Sequence, residues 1–227
     1  MNTFNTIILL ASILTIFIGF LVLVKNYKSP GNLWYFTMCL FGGLWGLMKV
    51  VQFSVMDVYW HDLLISRLVM FFGALAPVSF VMMTYYFGYK LNKPSKKNMY
   101  LMVCIASVVP LLNILGVLRH ADISIIDNSL HREIIFRDFL IFALYYFIYI
   151  LFGFYILLKK YLTSEGVTKT QIKYLMYGTV GNFLTTGVVS VILLLFNNFK
   201  YDFLGPIFLL VNFFFIGYLV FIKPKIR

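Results

Sequence analysis

The segment GLWGLMKVVQF, residues 43–53, decides the fold class because it is apolar apart from Gln52 and one lysine, Lys49. It belongs to a longer apolar stretch, 32–55, and about 20 such residues let a helix cross the hydrocarbon layer of a membrane. Gly42, Gly46 and Lys49 are spaced to share one helix face, and small residues mark the faces on which membrane helices pack. We therefore predict a membrane-spanning helix whose Lys49 points into a bundle.

The composition of the whole chain also indicates a membrane protein. Its 227 residues are 62% hydrophobic and 12% charged, with a mean hydropathy of +0.91, whereas a soluble domain is only about half apolar. In a soluble protein the net charge of +11 would suggest nucleic acid as a partner. Here the placement of the charges matters more than their sum, and no nucleic-acid partner is expected.

Six further stretches resemble the first in length and hydropathy, so the chain is predicted to be one seven-helix domain, 1–227. The first stretch has no lysine or arginine before it and no small-residue cleavage pattern, so we expect it to remain as the first helix. Breaks between stretches carry turn and charge signals. The predicted spans are 4–24, 32–55, 63–88, 99–118, 138–158, 172–196 and 203–222.

Acidic and basic residues gather on opposite sides of these spans. The N-terminus and the segments 56–62, 119–137 and 197–202 hold, with adjacent Asp138, seven of the 8 acids. Lysine-rich loops face the cytoplasm, so we predict the N-terminus outside and the C-terminus inside. The other loops and the tail hold Glu165 and 13 of the 19 basic residues, namely Lys25, Lys28, Lys90, Lys93, Lys96, Lys97, Lys159, Lys160, Lys169, Lys173, Lys223, Lys225 and Arg227.

One predicted outer loop, 119–138, is long enough to carry structure of its own. Apolar positions alternate on both sides of Asp127-Asn128-Ser129, a pattern that suits a short β-hairpin. An irregular loop is the alternative.

Several loose motifs, taken in their order along the chain, carry a resemblance to a known family. They are KTQIKYLMYGTVGN at 169–182, LGP at 204–206, GY at 217–218 and PGNLWYF at 30–36. Together they resemble the seven-helix N-terminal region of bacterial sensor histidine kinases over nearly the whole chain. That resemblance implies an input module followed by a cytoplasmic kinase. Because no phospho-accepting histidine region or ATP-binding glycine motif occurs up to Arg227, we expect the sensor half only, as a fragment or a stand-alone relative.

Two cations are predicted near the outer mouth of the bundle. Lys49 lies about 9 Å and Arg67 about 6 Å below the outer ends of spans two and three. One hypothesis is an anion site, in which both cations meet a carboxylate or phosphate of a ligand. The alternative is pairing with the loop acids Asp57, Asp62 or Asp138, with Lys49 extending toward the surface.

Polar residues deeper in the bundle suggest further contacts. Asn182 and Asn212 both fall near the midplane, where an Asn–Asn hydrogen bond between helices is the simplest account and a ligand contact the alternative. Asn113, in the outer third of span four, could join the mouth of the site.

Aromatic residues in span five suggest a pocket wall. Tyr145, Tyr146 and Tyr149 lie on neighbouring faces, and with Trp45 and Phe53 they could line an aromatic pocket. Because aromatics make up 19% of the chain, a cluster without function is the alternative. The ligand-binding candidates carried forward are Lys49, Arg67, Trp45, Asn113, Tyr145, Tyr149, Asn182 and Asn212.

The distribution of reactive residues argues against catalysis within the membrane. No Asp, Glu or His falls in the middle of a span, and His61, His120 and His131 belong to the outer side, where solvation is the simplest account. A retinal pigment would need a lysine deep in span seven, but Lys223 lies at its inner end. We therefore expect no enzyme, metal site or cofactor.

These observations predict a sensory module of the bacterial plasma membrane. Its ligand would be a small anion, a lipid or a peptide, and its partner a cytoplasmic histidine kinase or regulator. Movement of spans six and seven would carry the signal, and a homodimer is an open possibility. The alternatives are a small-molecule transporter, for which no internal repeat is visible, and a scaffolding membrane subunit.

Overall fold

Helices account for nearly all of the described chain. The structure, a computed structural model, describes residues 3–54, 59–87, 96–118, 121–126, 129–196 and 201–223. The helices are α1 (Thr3–Lys25), α2 (Pro30–Ser54), α3 (Tyr59–Tyr86), α4 (Lys96–Ile114), α5 (Phe136–Thr163), α6 (Gly166–Asn182) and α7 (Gly205–Ile216). The last two are extended by other helical turns. The π-helix Phe183–Ile192 and the turn Leu193–Leu195 continue α6, whereas the 3₁₀ turn Asp202–Leu204 precedes α7 and the π-helix Gly217–Ile222 follows it.

The predicted seven-helix membrane bundle is confirmed. Six helices with their continuations are long and apolar enough to cross a membrane, and the described apolar part of α4, Tyr100–Ile114, is shorter. The predicted fourth span, 99–118, ends early because the helix stops at Ile114. Gly116 then takes the left-handed conformation, with φ of 71°, that commonly closes a helix. The fifth span is longer than predicted, Phe136–Thr163.

A β-hairpin occupies the long loop between α4 and α5. Strands Ala121–Ile126 and Ser129–Ile134 pair antiparallel, with Ala121 opposite Ile134 and Ile126 opposite Ser129. The turn residues 127–128 of the predicted hairpin lie outside the described residues.

Small residues bring the first, second and seventh helices into close contact. A Cβ on Gly43 would lie 2.4 Å from a side-chain carbon of Ile16 in α1, so only glycine fits there. A Cβ on Gly42 would lie 2.6 Å from Leu209 in α7. Gly46, on the predicted packing face of α2, lies against Ser12 of α1 and Pro206 of α7. The predicted face therefore meets both helices, and its Lys49 is only 2% exposed.

The charge-based orientation can be checked by labelling engineered cysteines. Tyr201 precedes α7 and is 42% exposed, whereas Tyr27 follows α1 and is 70% exposed. In a chain whose native Cys39 and Cys104 are replaced by alanine, Tyr201→Cys should react with a membrane-impermeant maleimide in intact cells. Tyr27→Cys should react only after the cells are opened. Labelling of Tyr27→Cys in intact cells would show that the orientation is the opposite of the predicted one.

Candidate functional site

A central cavity of about 80 Å³ lies among α2, α3, α5, α6 and α7. This volume holds more than one water molecule or one ring of a small organic ligand. The cavity is partly open, so a larger ligand can extend beyond it. Its walls are mainly apolar and aromatic, including Trp45, Phe80, Phe142, Tyr146 and Phe213. Concave, largely apolar sites with a few polar groups are typical of small-molecule binding.

Lys49 lines this cavity and forms a buried ion pair with Asp202. Lys49 is 2% and Asp202 7% exposed, and the Lys49 Nζ also lies 4.8 Å from the centre of the Trp45 ring. The pair joins α2 to the turn that begins the last membrane span. The carboxylate stands where a helix N-terminus favours negative charge.

The sequence offered pairing of Lys49 with Asp57, Asp62 or Asp138 as the alternative to an anion site, and the partner among the described residues is another acid of the predicted outer side, Asp202. Asp138 pairs with Arg137, with 2.8 Å between the Asp138 Oδ1 and the Arg137 Nε. The side chains of Asp57 and Asp62 lie outside the described residues. The prediction weighed Asp57 and Asp62, next to spans two and three, and Asp138, at the start of span five, whereas Asp202 reaches Lys49 because α7 packs directly on α2.

Arg67 is not among the described residues that line the cavity with Lys49. The guanidinium lies against the chain at the end of α4, where a Cβ on Gly116 would be 2.4 Å from the Arg67 Cζ. Gly116 is thus required both by its positive φ and by the arginine packed over it. Asn113, also at this end of α4, is fully buried, and neither it nor Arg67 belongs to the described cavity lining.

Asn182 lines the cavity, but the predicted Asn182–Asn212 hydrogen bond is wrong. The Asn212 Nδ2 donates to the Thr185 Oγ1 at 3.0 Å and to the Phe208 carbonyl at 2.7 Å. The amide of Asn212 is therefore satisfied by its own helix and by a threonine that faces it. Among the described residues, the buried Asn182 Oδ1 has no hydrogen-bond partner.

Three hydroxyl residues of the cavity wall were missed by sequence reasoning. Thr179, Thr186 and Ser190 lie on the same side of α6 and its π-helical continuation as Asn182. Ser190 is 7% exposed, and its Oγ has no partner in the described part of the chain. A sequence pattern could have identified these residues, because polar residues recur every three or four positions from 179 to 190 within an apolar span.

Aromatic residues of α5 divide between two roles. The Tyr145 hydroxyl lies 2.9 Å from the carbonyl oxygens of both Ala74 and Ala106, shares its single proton between these two acceptors, and so joins α5 to α3 and α4. Tyr149 donates to the Met102 carbonyl at 3.4 Å. Tyr146, between them, is the tyrosine that lines the cavity with Trp45. The predicted aromatic wall exists, but Tyr145 and Tyr149 are interhelical contacts.

At the predicted inner end of the bundle, Lys160 binds the backbone carbonyls at the C-terminus of α3. Its Nζ, on α5, donates to the carbonyls of Thr84 at 2.7 Å, Tyr85 at 2.7 Å and Phe87 at 2.5 Å. The final carbonyls of a helix lack intrahelical partners and carry partial negative charge, so a buried ammonium stabilises them. The sequence attributed this lysine to membrane orientation alone.

The inner end of the last span is held in the same way by two other helices. The Lys25 Nζ of α1 donates to the Phe221 carbonyl at 2.8 Å and the Ile222 carbonyl at 2.5 Å. The Gln171 Nε2 of α6 donates to the Val220 carbonyl at 2.8 Å. Both α1 and α6 therefore fix the segment that leads toward the C-terminus.

A comparison with protein families supports the predicted resemblance. The model of the family described as the N-terminal 7TM region of histidine kinase matches residues 7–223. A comparison with curated proteins found no match. The matched range contains the cavity and all seven helices except the first four residues of α1, and regions of this family are membrane input modules rather than catalytic domains. This multi-pass protein of the bacterial plasma membrane therefore belongs to the family of N-terminal seven-transmembrane regions of histidine kinases.

Proposed function

We propose that the central cavity binds a small molecule and that occupancy changes how α6 and α7 pack, which passes a signal to a cytoplasmic histidine kinase. The observation that carries this proposal is the composition of the cavity wall. Asn182, Ser190 and other residues of α6 and its continuation form one side, and Leu209, Phe213 and Ile216 of α7 form another. The last two spans thus contact any occupant directly.

The contacts of α7 give a route from the cavity to the cytoplasmic side. At its beginning, Asp202 is tied to Lys49 of α2. At its end, Lys25 and Gln171 bind the last carbonyls of the span. A displacement of α7 at the cavity must therefore be accommodated at contacts on both ends, because packed helices change between discrete arrangements.

The π-helical segment beside the cavity supports the same proposal. Phe183–Ile192 is a π-helix of ten residues, and it contributes Thr186, Ser190 and Val191 to the wall. Such helices are rare and occur frequently at functional sites. A ligand can shift the packing only by binding one arrangement more tightly than the other.

Filling the cavity should change kinase output. Ala76 lines the cavity from α3, so a phenyl ring at this position occupies the space proposed for the ligand. With the full chain joined to a histidine kinase core, we expect Ala76→Phe to change autophosphorylation in membrane vesicles by about fivefold or more, since allosteric couplings are typically 1–3 kcal/mol.

Val108→Phe is the matched control, because Val108 of α4 is 50% exposed on the outside of the bundle. Both variants should insert in wild-type amounts, and the control should retain wild-type kinase activity. Equal activity of the two variants, at equal amounts in the membrane, would contradict the proposed role of the cavity.

A further inference from the structure

We propose that the cavity takes a neutral amphipathic molecule, with a ring-sized apolar body and a single hydroxyl or similar uncharged polar group, rather than an anion. The inference rests on the proposed ligand-binding function and specifies its chemistry. Three features of the wall carry it, namely its charge balance, two hydrogen-bonding atoms that have no partner among the described residues, and its aromatic surface.

The charge balance disfavours an anionic occupant. Lys49 is the one ionisable cation among the described lining residues, and its charge is compensated by Asp202. A ligand carboxylate or phosphate at Lys49 would meet an ammonium that is already paired with the buried carboxylate of Asp202, and that carboxylate would repel the anion unless the pair were broken. Breaking a buried pair leaves a charge without compensation, which is strongly unfavourable. Arg67, the second cation of the hypothesised anion site, packs against Gly116 and is not among the described lining residues.

Two polar atoms in the wall can accept a neutral group. The Asn182 Oδ1 and the Ser190 Oγ are buried and have no hydrogen-bond partner among the described residues. Thr179 differs, because its hydroxyl already donates to the Leu175 carbonyl at 2.8 Å. A buried acceptor without a partner is unfavourable, so a ligand that donates a hydrogen bond gains specificity there.

The remainder of the wall suits an apolar ring. Trp45, Phe80, Phe142, Tyr146 and Phe213 contribute flat surfaces from four helices. Aromatic side chains pack favourably on one another in offset or edge-to-face arrangements, and a ligand ring can use the same geometry. The site is therefore polar on the α6 side and aromatic elsewhere.

Three probes of the same shape test this inference, namely 2-naphthol, naphthalene and 2-naphthoate. Saturable binding is measured to the full chain in lipid nanodiscs, after subtraction of partitioning into empty nanodiscs. We expect 2-naphthol to bind about tenfold more tightly than naphthalene, as one hydrogen bond allows. 2-Naphthoate should show no saturable binding.

Substitutions in the cavity wall test which side chains form the hydrogen bond with the ligand. Asn182→Leu or Ser190→Ala should reduce the preference of the chain for 2-naphthol over naphthalene. Ser79→Ala is the matched control for Ser190→Ala, because Ser79 is 1% exposed, bonds the Leu75 carbonyl of its own helix and does not line the cavity. The control should keep the wild-type preference, and the use of two variants guards against a folding defect in one.

Each contrary outcome has a defined meaning. Binding of 2-naphthoate as tight as that of 2-naphthol would overturn the inference in favour of an anion site. Equal binding of 2-naphthol and naphthalene, or no saturable binding of either, would also overturn it. The proposed function fails separately, if Ala76→Phe leaves kinase output unchanged while 2-naphthol binds as expected.

Discussion

Replacement of Asp202 by alanine is expected to lower the free energy of unfolding by about 3–5 kcal/mol, the usual effect of removing one partner of a buried ion pair. Lys49 would remain at 2% exposure with its positive charge uncompensated by Asp202. The free energy can be measured by steric trapping in lipid bicelles.

A double-mutant cycle separates the coupling energy of the ion pair from other effects of the substitutions on stability. Removing both charges, in Lys49→Met with Asp202→Ala, should restore most of the stability lost in Asp202→Ala alone, because a buried pair replaced by apolar groups is often close to neutral. Lys28→Met, at an exposed lysine that follows α1, should change stability by less than about 0.5 kcal/mol. Additive losses in the double variant would show that Lys49 and Asp202 are not energetically coupled.

Replacement of Lys160 by methionine is expected to lower the free energy of unfolding by about 2–4 kcal/mol. The substitution keeps the length of the side chain but removes the ammonium that binds the carbonyls of Thr84, Tyr85 and Phe87. Lys160 is 7% exposed, so water does not readily replace it. The same steric-trapping measurement gives the change, and hydrogen exchange should increase in the last turn of α3.

Lys159→Met is the matched control, because Lys159 is the preceding residue of the same helix and is exposed. It removes the same charge from the same end of the bundle, so it reports the effect of membrane electrostatics alone. We expect it to change stability by less than about 0.5 kcal/mol. Equal losses of unfolding free energy in the two variants would show that net charge causes the effect, and not the hydrogen bonds of Lys160 to the end of α3.

Several features could be predicted from sequence because they depend on residues near one another in the chain. Hydropathy over about 20 residues locates a membrane helix whatever its neighbours are. Alternation around residues 127–129 indicated the hairpin whose strands pair from Ala121 to Ile134. The spacing of Gly42, Gly46 and Lys49 correctly indicated a face inside the bundle.

The candidate site was predicted only in part, because its composition depends on the rotation and order of helices. Of the eight ligand-binding candidates, Trp45, Lys49 and Asn182 line the cavity. Tyr145 and Tyr149 do not, although each is one or a few residues from Tyr146, which does. A rotation of about 100° per residue separates adjacent side chains, and sequence periodicity cannot set it in a helix apolar on all sides.

The sequence by itself determined the number of helices, the family resemblance and an asymmetry of charge that predicts how the chain crosses the membrane. The tertiary structure alone decided that Lys49 pairs with Asp202, that Arg67 packs on Gly116 and that Asn182 faces a cavity. The physical reason is that the two kinds of interaction act over different distances along the sequence. Transfer into lipid is a local property of each segment, whereas polar partners are chosen by contacts between helices distant in sequence.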